Sequence, residues 1–352
     1  MALELIIKKK LAGFTLEAAF SAGAERLGLL GASGCGKSMT LRCIAGVSVP
    51  DEGRISINGK TVYDSARGIN LPPQKRRAGY LFQQYALFPH LTVRQNIALV
   101  LGRLPRGERK RLTAEILAKF SLEDLADQKS ARLSGGQQQR AALARMLAPR
   151  PEIIMLDEPF SALDSFLRDA VEKELRETVA AFPGTVLFVS HNRDEVYRFC
   201  ERMIILDQGR ITRMGDRDEL FRDPRTVAAA RLSGCKNIAP ARKTGGRRVF
   251  VPQWNLSLCT AAAVPDDLSH VGIRAHHIRR PRTGDRENVF TFSISALDLK
   301  PFSRSEYITP AGGEALVRII EDAEGTPFRR VEGEAREETL CLSPEHLLLL
   351  RE

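Results

Sequence analysis

The sequence predicts an α/β core carrying an antiparallel β subdomain and an inserted run of helices, followed by a small β-barrel-like C-terminal domain. Three observations predict it. The apolar run Leu27-Gly28-Leu29-Leu30 ends in the glycine-rich stretch Gly31-Ala32-Ser33-Gly34-Cys35-Gly36-Lys37-Ser38, and a helical segment follows it. From Val93 to about Leu147 the spacing is helical, between two strand-bearing regions, which places a helical subdomain at about 84–150. Beyond residue 232 short β-prone segments recur, so the expected domains are 1–232 and 233–352.

Each element has its own local reason. Residues 3–7 and 14–20 read as a hairpin, because Phe14, Leu16, Ala18 and Phe20 alternate with Thr15, Glu17 and Ala19. The turn Pro50-Asp51-Glu52-Gly53 precedes a short strand, Arg54 to Lys60, closed by Asn58-Gly59. Residues 70–77 read as a basic loop ahead of the strand Ala78 to Phe82, and Leu104-Pro105-Arg106-Gly107 breaks the helical run. Strand signals resume at Ile153–Leu156, Thr185–Ser190 and Met203–Leu206. The stretch from Gly234 to Arg248 reads as a linker or a first strand of the second domain, with further strands expected at 271–273, 289–294, 315–320 and 339–342.

At 352 residues the chain is long enough for two domains, and its 43% apolar content can fill two cores. The net charge of +10 is spread along the chain, without finger spacing or a basic strip interleaved with aromatics. That pattern reads as a solvated surface and argues against a nucleic-acid partner. Six cysteines form no C-x-x-C pair, which fits reduced thiols in a cytosolic chain. The N-terminal apolar run is too short for a signal peptide, and no run of ~18 apolar residues occurs, so any membrane role needs other chains to span the bilayer.

The glycine-rich stretch has the form of a phosphate-binding loop. Its glycines let backbone N–H groups curl around phosphates, Lys37 reaches the β and γ oxygens, and the Ser38 hydroxyl can sit on Mg²⁺. The helix opening at Met39 turns its positive end toward the same phosphates. Ile153 to Leu156 is an apolar strand ending in Asp157 and Glu158; Asp157 would hold Mg²⁺, directly or through water, and Glu158 is placed to polarise a water for attack on the γ-phosphorus. Between these lies Leu133-Ser134-Gly135-Gly136-Gln137, where Ser134 can cap a helix and the glycines offer bare N–H groups to an anion.

This ordered set resembles the ATP-binding cassette (ABC) ATPases, P-loop NTPases whose signature sequence is L-S-G-G-Q. The resemblance implies ATP and Mg²⁺ as ligands and adds positions. Gln83 matches the Q-loop glutamine, which touches Mg²⁺ and the attacking water; Ser161-Ala162-Leu163-Asp164 matches the D-loop; and His191 matches the switch histidine at the γ-phosphate. It also implies two cassettes facing head to tail, with ATP on Gly31 to Ser38 of one covered by Ser134, Gly135, Gly136 and Gln137 of the other. Family members usually stack an aromatic residue on adenine about thirty residues before the lysine. Here Phe14 lies 23 residues ahead, in a strand that reads as core-facing, leaving adenine to weak contacts or to the Leu11–Gly13 turn.

Residues 85–97 resemble the importer ATPases that serve solute-binding-protein systems, in which this region docks a permease coupling helix. Val271-Gly272-Ile273-Arg274 resembles a strand of their small C-terminal regulatory barrel (TOBE- or MOP-like), with Ala275-His276 in place of Pro-Glu. The stretch 61–77 looks most like the molybdate-importer subunits, although Glu321 to Gly325 stands where that module has a tight turn. The expectation is therefore a peripheral subunit on the cytoplasmic face of the inner membrane, driving import of molybdate or tungstate. It would work with transmembrane permease subunits and, indirectly, a periplasmic or extracellular solute-binding protein. Sulfate, ferric iron or another small solute is the alternative, and a non-transport soluble ABC ATPase is a further reading.

Overall fold

Two apolar runs, Ile153–Asp157 and Thr185–Ser190, are buried at every position, as strands covered on both faces must be. They lie inside one eleven-stranded sheet of the first of two units, residues 1–217 and 218–352. The computed structural model describes residues 2–161, 165–300, 303–321 and 336–352.

In the first unit the strands are β1 (Leu3–Leu11), β2 (Phe14–Ala22), β3 (Arg26–Leu30), β4 (Glu52–Ile57), β5 (Lys60–Asp64), β6 (Ile69–Asn70), β7 (Ala78–Leu81), β8 (Ile153–Asp157), β9 (Thr185–Ser190), β10 (Arg202–Asp207) and β11 (Arg210–Asp216). The helices are α1 (Lys37–Ala45), α2 (Val93–Val100), α3 (Arg106–Lys119), α4 (Gly135–Leu147), α5 (Ser165–Ala180) and α6 (Arg193–Phe199). The sheet order is β6-β5-β4-β1-β2-β11-β10-β3-β9-β8-β7. From β10 to β7 all neighbours run parallel, whereas β1, β2, β4, β5 and β6 form the antiparallel part. The register pairs Leu30 with Ser190, Asp157 with Val189 and Leu81 with Leu156, so four parallel strands end level with one another. Ligands of parallel sheets bind at such carboxyl ends.

The helical insert has its own core, in which Val93, Ile97 and Leu101 of α2 meet Leu117, Leu122, Leu133, Ala141 and Ala144. Capping boxes open two of its helices: Thr92 with Gln95 for α2, and Ser134 with Gln137 for α4. The basic loop ahead of β7 carries one arginine that is not solvated. Arg76 is 1% exposed and donates to the Cys43, Ile44 and Leu71 carbonyls and to Asn70 Oδ1. A guanidinium has the donors to complete the last carbonyls of α1, of which that of Cys43 also accepts the Gly46 N–H, and this explains its burial.

The second unit opens with short helices α7 (Arg217–Arg222) and α8 (Val227–Leu232). It continues with β12 (Asn237–Pro240), β13 (Arg242–Gly245), β14 (Arg248–Val251), β15 (Leu256–Cys259), β16 (His270–Ile273), β17 (Ile278–Arg279), β18 (Val289–Lys300), β19 (Ser303–Pro310), β20 (Leu316–Glu321), β21 (Arg336–Leu342) and β22 (Leu347–Leu350). Two three-stranded sheets, β12-β16-β22 and β13-β14-β15, and a five-stranded antiparallel sheet, β17-β21-β18-β19-β20, enclose a barrel-like core around Trp254, Ile273, Phe292 and Leu340. The stretch from Gly234 is thus a first strand region rather than a linker. Arg274, in the segment that resembles the regulatory strand, donates to the carbonyl and hydroxyl of Ser233 at 2.7 and 3.0 Å. Of the expected turn at Glu321–Gly325, residues 322–325 lie outside the described residues.

Candidate active site

The chain leaves β3 at Leu30 and enters the glycine-rich loop. A side chain at Gly31 would place its Cβ 2.3 Å from the Leu206 carbonyl oxygen, so only glycine lets the loop pass this close to β10. Gly36 has φ 110° and is the N-cap of α1 with no side-chain cap, which leaves the first-turn N–H groups directed at whatever anion the loop holds. Ala32, Ser33 and Gly34 are exposed, while Met39 in the first turn is half-buried. Cys35 is buried, and desolvation pushes its thiol pKa up against the opposing pull of Lys37, so it packs rather than reacts. Lys37 is 5% exposed and folds back on its own loop, donating to the carbonyls of Gly31 and Ala32, both at 2.8 Å.

Asp157, at the end of β8, faces that loop. Its Oδ1 accepts from Ser38 Oγ at 2.8 Å and its Oδ2 accepts from the Tyr80 hydroxyl at 2.8 Å. Two hard oxygen donors from separate elements converge here, a donor set that suits Mg²⁺ completed by phosphate oxygens and water. Burial, then the neighbouring Asp157 charge, drives the Tyr80 pKa upward, so Tyr80 remains a neutral donor.

Glu158 takes φ 47°, a left-handed backbone that a non-glycine residue adopts only when its surroundings hold it there. Its N–H donates to the Val189 carbonyl, and its own carbonyl accepts from the Ser161 N–H and hydroxyl. The turn aims the carboxylate so that Oε2 accepts from Gln83 Nε2 at 3.4 Å and Oε1 lies 3.1 Å from His191 Nδ1. Gln83, Glu158 and His191 thus come from the ends of three different strands.

The structure therefore brings Lys37, Ser38, Gln83, Asp157, Glu158 and His191 to the carboxyl ends of the parallel strands. Ser134 and Gln137 bond to each other across the first turn of α4, and among the described residues they share no hydrogen bond with the loop. Asp164 lies outside the described residues, as do Ala162 and Leu163. Phe14 is half-buried against the main core, with its ring edge facing Gly36 and Gly209. Sequence reasoning missed Tyr80, which sits mid-strand among apolar neighbours and reads as core.

A buried lysine in a glycine loop, opposite a hydroxyl–carboxylate pair at the ends of parallel strands, defines a P-loop nucleotide-binding protein. A model of the ABC transporter family matches residues 17–161. The molybdenum import ATP-binding protein ModC of Paramagnetospirillum magneticum is 38% identical over 222 residues, 63% of this chain and 61% of that protein. The spermidine/putrescine import ATP-binding protein PotA of Roseobacter denitrificans is 38% identical over 259 residues, 71% of this chain and 70% of its own length. The dimeric post-hydrolysis structure of the ATP-binding cassette MJ0796 bound to ADP and Pi superposes with a TM-score of 0.51 at 32% identity, covering 61% of this chain and 98% of that one. The chain belongs to the ABC transporter ATP-binding family.

Proposed function

We propose that the chain is the ATP-hydrolysing subunit of an ABC importer, working with Mg²⁺ as a cassette dimer beneath a separate membrane permease. The observation that carries this reading is the placement of Glu158, held by Gln83 on one oxygen and His191 on the other, beside the Ser38–Asp157 pair. Lys37 and the loop N–H groups bind and orient the nucleotide phosphates. Ser38, Asp157 and Gln83 would hold the ion, and Mg²⁺ when bound would neutralise phosphate charge. Glu158 polarises the attacking water, Gln83 orients the Glu158 carboxylate, and His191 serves the γ-phosphate side of the same group. Ser134, Gly135, Gly136 and Gln137 of a second copy, with Asp164 at the junction, would cover the nucleotide. The dimeric related cassette supports that arrangement.

No helix among the described residues is long and apolar enough to cross a membrane. Within residues 85–97, the stretch expected to dock the permease, Phe88 is 42% exposed, which supports an apolar seat for a coupling helix there. Docked there, the subunit would lie on the cytoplasmic face of the membrane, with a solute-binding protein acting from the other side and the second unit in a regulatory role. Molybdate or tungstate is the proposed solute, supported by the likeness at residues 61–77 and by the molybdenum import relative. A polyamine is the second reading, because a relative named for spermidine and putrescine matches as well. Uptake of labelled molybdate, putrescine, sulfate and ferric iron, in cells with the intact chain or Lys37→Ala, tests this. Selective loss of molybdate uptake is expected; loss of another solute alone moves the assignment to that solute.

A further inference from the structure

The turn that carries His191 is closed from below by a carboxylate that the chemistry above does not use. Ser190, the last residue of β9, donates its hydroxyl to Glu195 Oε2 at 2.6 Å and accepts the Asn192 N–H at 2.9 Å. Asn192 in turn caps α6, accepting the Asp194 N–H at 2.9 Å. Glu195 is 2% exposed, and its other oxygen accepts from the Arg168 guanidinium on α5. Burying a carboxylate is costly unless it is paired and hydrogen-bonded, and here both oxygens are satisfied. The bonds knit residues 190–195 into one rigid turn. The His191 side chain stands clear of it, 61% exposed, and reaches Glu158 instead.

α6 has anchors of its own besides Glu195. Val196 and Phe199 of that helix are buried, the Phe199 ring stacks on Phe188 at 4.8 Å, and Arg198 pairs with Glu172 of α5 at 2.6 Å. Loss of Glu195 should therefore loosen the His191 turn, which keeps the Asn192 N–H bond to Ser190, while the helix stays docked. Sub-ångström placement matters most where one side chain must meet another at the reacting group.

We propose that Glu195 is a positioning residue for His191: its buried carboxylate, anchored by Arg168, fixes the Ser190 hydroxyl and with it the direction in which His191 faces Glu158. The proposal rests on the reading of this site as an ATPase. The test uses the full chain with ATP and Mg²⁺, comparing turnover, nucleotide affinity and melting temperature in wild type, Glu195→Gln, Ser190→Ala, Ser190→Thr, His191→Ala and the Glu195→Gln/His191→Ala double variant. Glu195→Gln and the milder Ser190→Ala should each lower kcat about ten-fold or more, with ATP affinity changed by less than about two-fold. Ser190→Thr, which keeps the hydroxyl, should restore turnover. On the His191→Ala background Glu195→Gln should add almost nothing, because the residue it positions is gone. Wild-type turnover in both Glu195→Gln and Ser190→Ala, or an equal loss with and without His191, overturns the positioning role. A wild-type chain that does not hydrolyse ATP overturns the underlying reading instead.

Discussion

Ser38 Oγ and Asp157 Oδ1 lie 2.8 Å apart although 119 residues separate them, and the second Asp157 oxygen is taken by Tyr80. The phosphate loop and the acidic strand end are thus bonded to each other directly. Tyr80→Phe removes one of the two described hydroxyl donors to a buried carboxylate, a loss of about 1.5–3 kcal/mol for a bond to a charged group. The expected outcome is a folded chain that needs several-fold more Mg²⁺ for half-maximal turnover, read from a Mg²⁺ titration of ATP hydrolysis. An unchanged titration removes Tyr80 from the site.

Lys37 already makes two bonds to loop carbonyls, so its ammonium is poised at the centre of the loop. Lys37→Ala should weaken ATP binding at least about ten-fold, equivalent to ~1.4 kcal/mol, by fluorescent-nucleotide titration. Normal affinity in that variant contradicts the phosphate-loop assignment.

Arg76 is buried with four hydrogen bonds, two of them to the last carbonyls of α1. Arg76→Met keeps the stem but removes all four bonds, leaving the Cys43 carbonyl only the Gly46 N–H, so the first unit should lose about 3 kcal/mol. Chemical denaturation followed by circular dichroism measures it. A loss below ~1 kcal/mol would mean that water replaces the guanidinium there.

The second unit contains the chain's single tryptophan, Trp254, which is 4% exposed and so reports that unit's unfolding alone. In the same unit burial, then the neighbouring charges of His346, His276 and Arg274, lowers His277 to a pKa of about 4, and Glu345 opposes the shift. The ordinary value is 6.5, so between pH ~6.5 and ~4 the unfolded chain binds a proton that the folded chain does not. Stability linked to His277 is therefore intact above pH ~6.5 and is lost as the pH falls toward ~4. Trp254 fluorescence melts should show this fall, and His277→Phe should flatten it. A slope unchanged by the substitution assigns the effect to other groups.

What was legible in the sequence is what contiguous residues encode. Gly31 to Ser38 needs a preceding strand and a following helix, and both are adjacent in the chain. Asp157 and Glu158 are announced by the apolar run before them, and the Ser134–Gln137 capping box is visible as a four-residue pattern. Tyr80 and Arg76 were not legible, because what they do depends on partners 77 and 33 residues away. A tyrosine in an apolar strand looks like core, and an arginine among basic neighbours looks solvated, until the sheet brings a carboxylate to one and helix carbonyls to the other. Glu195 is the same case: on paper it is an acid in the first turn of a helix, and only the packing of α5 against α6 shows it buried.

The central claim, that Glu158 drives ATP hydrolysis at the carboxyl end of β8, is tested most directly by Glu158→Gln in the full chain with ATP and Mg²⁺. The account predicts ATP affinity close to wild type, turnover lowered by about 10²–10⁴-fold, and a stable ATP-loaded dimer on size-exclusion chromatography. Turnover near the wild-type rate with ATP binding intact would contradict it.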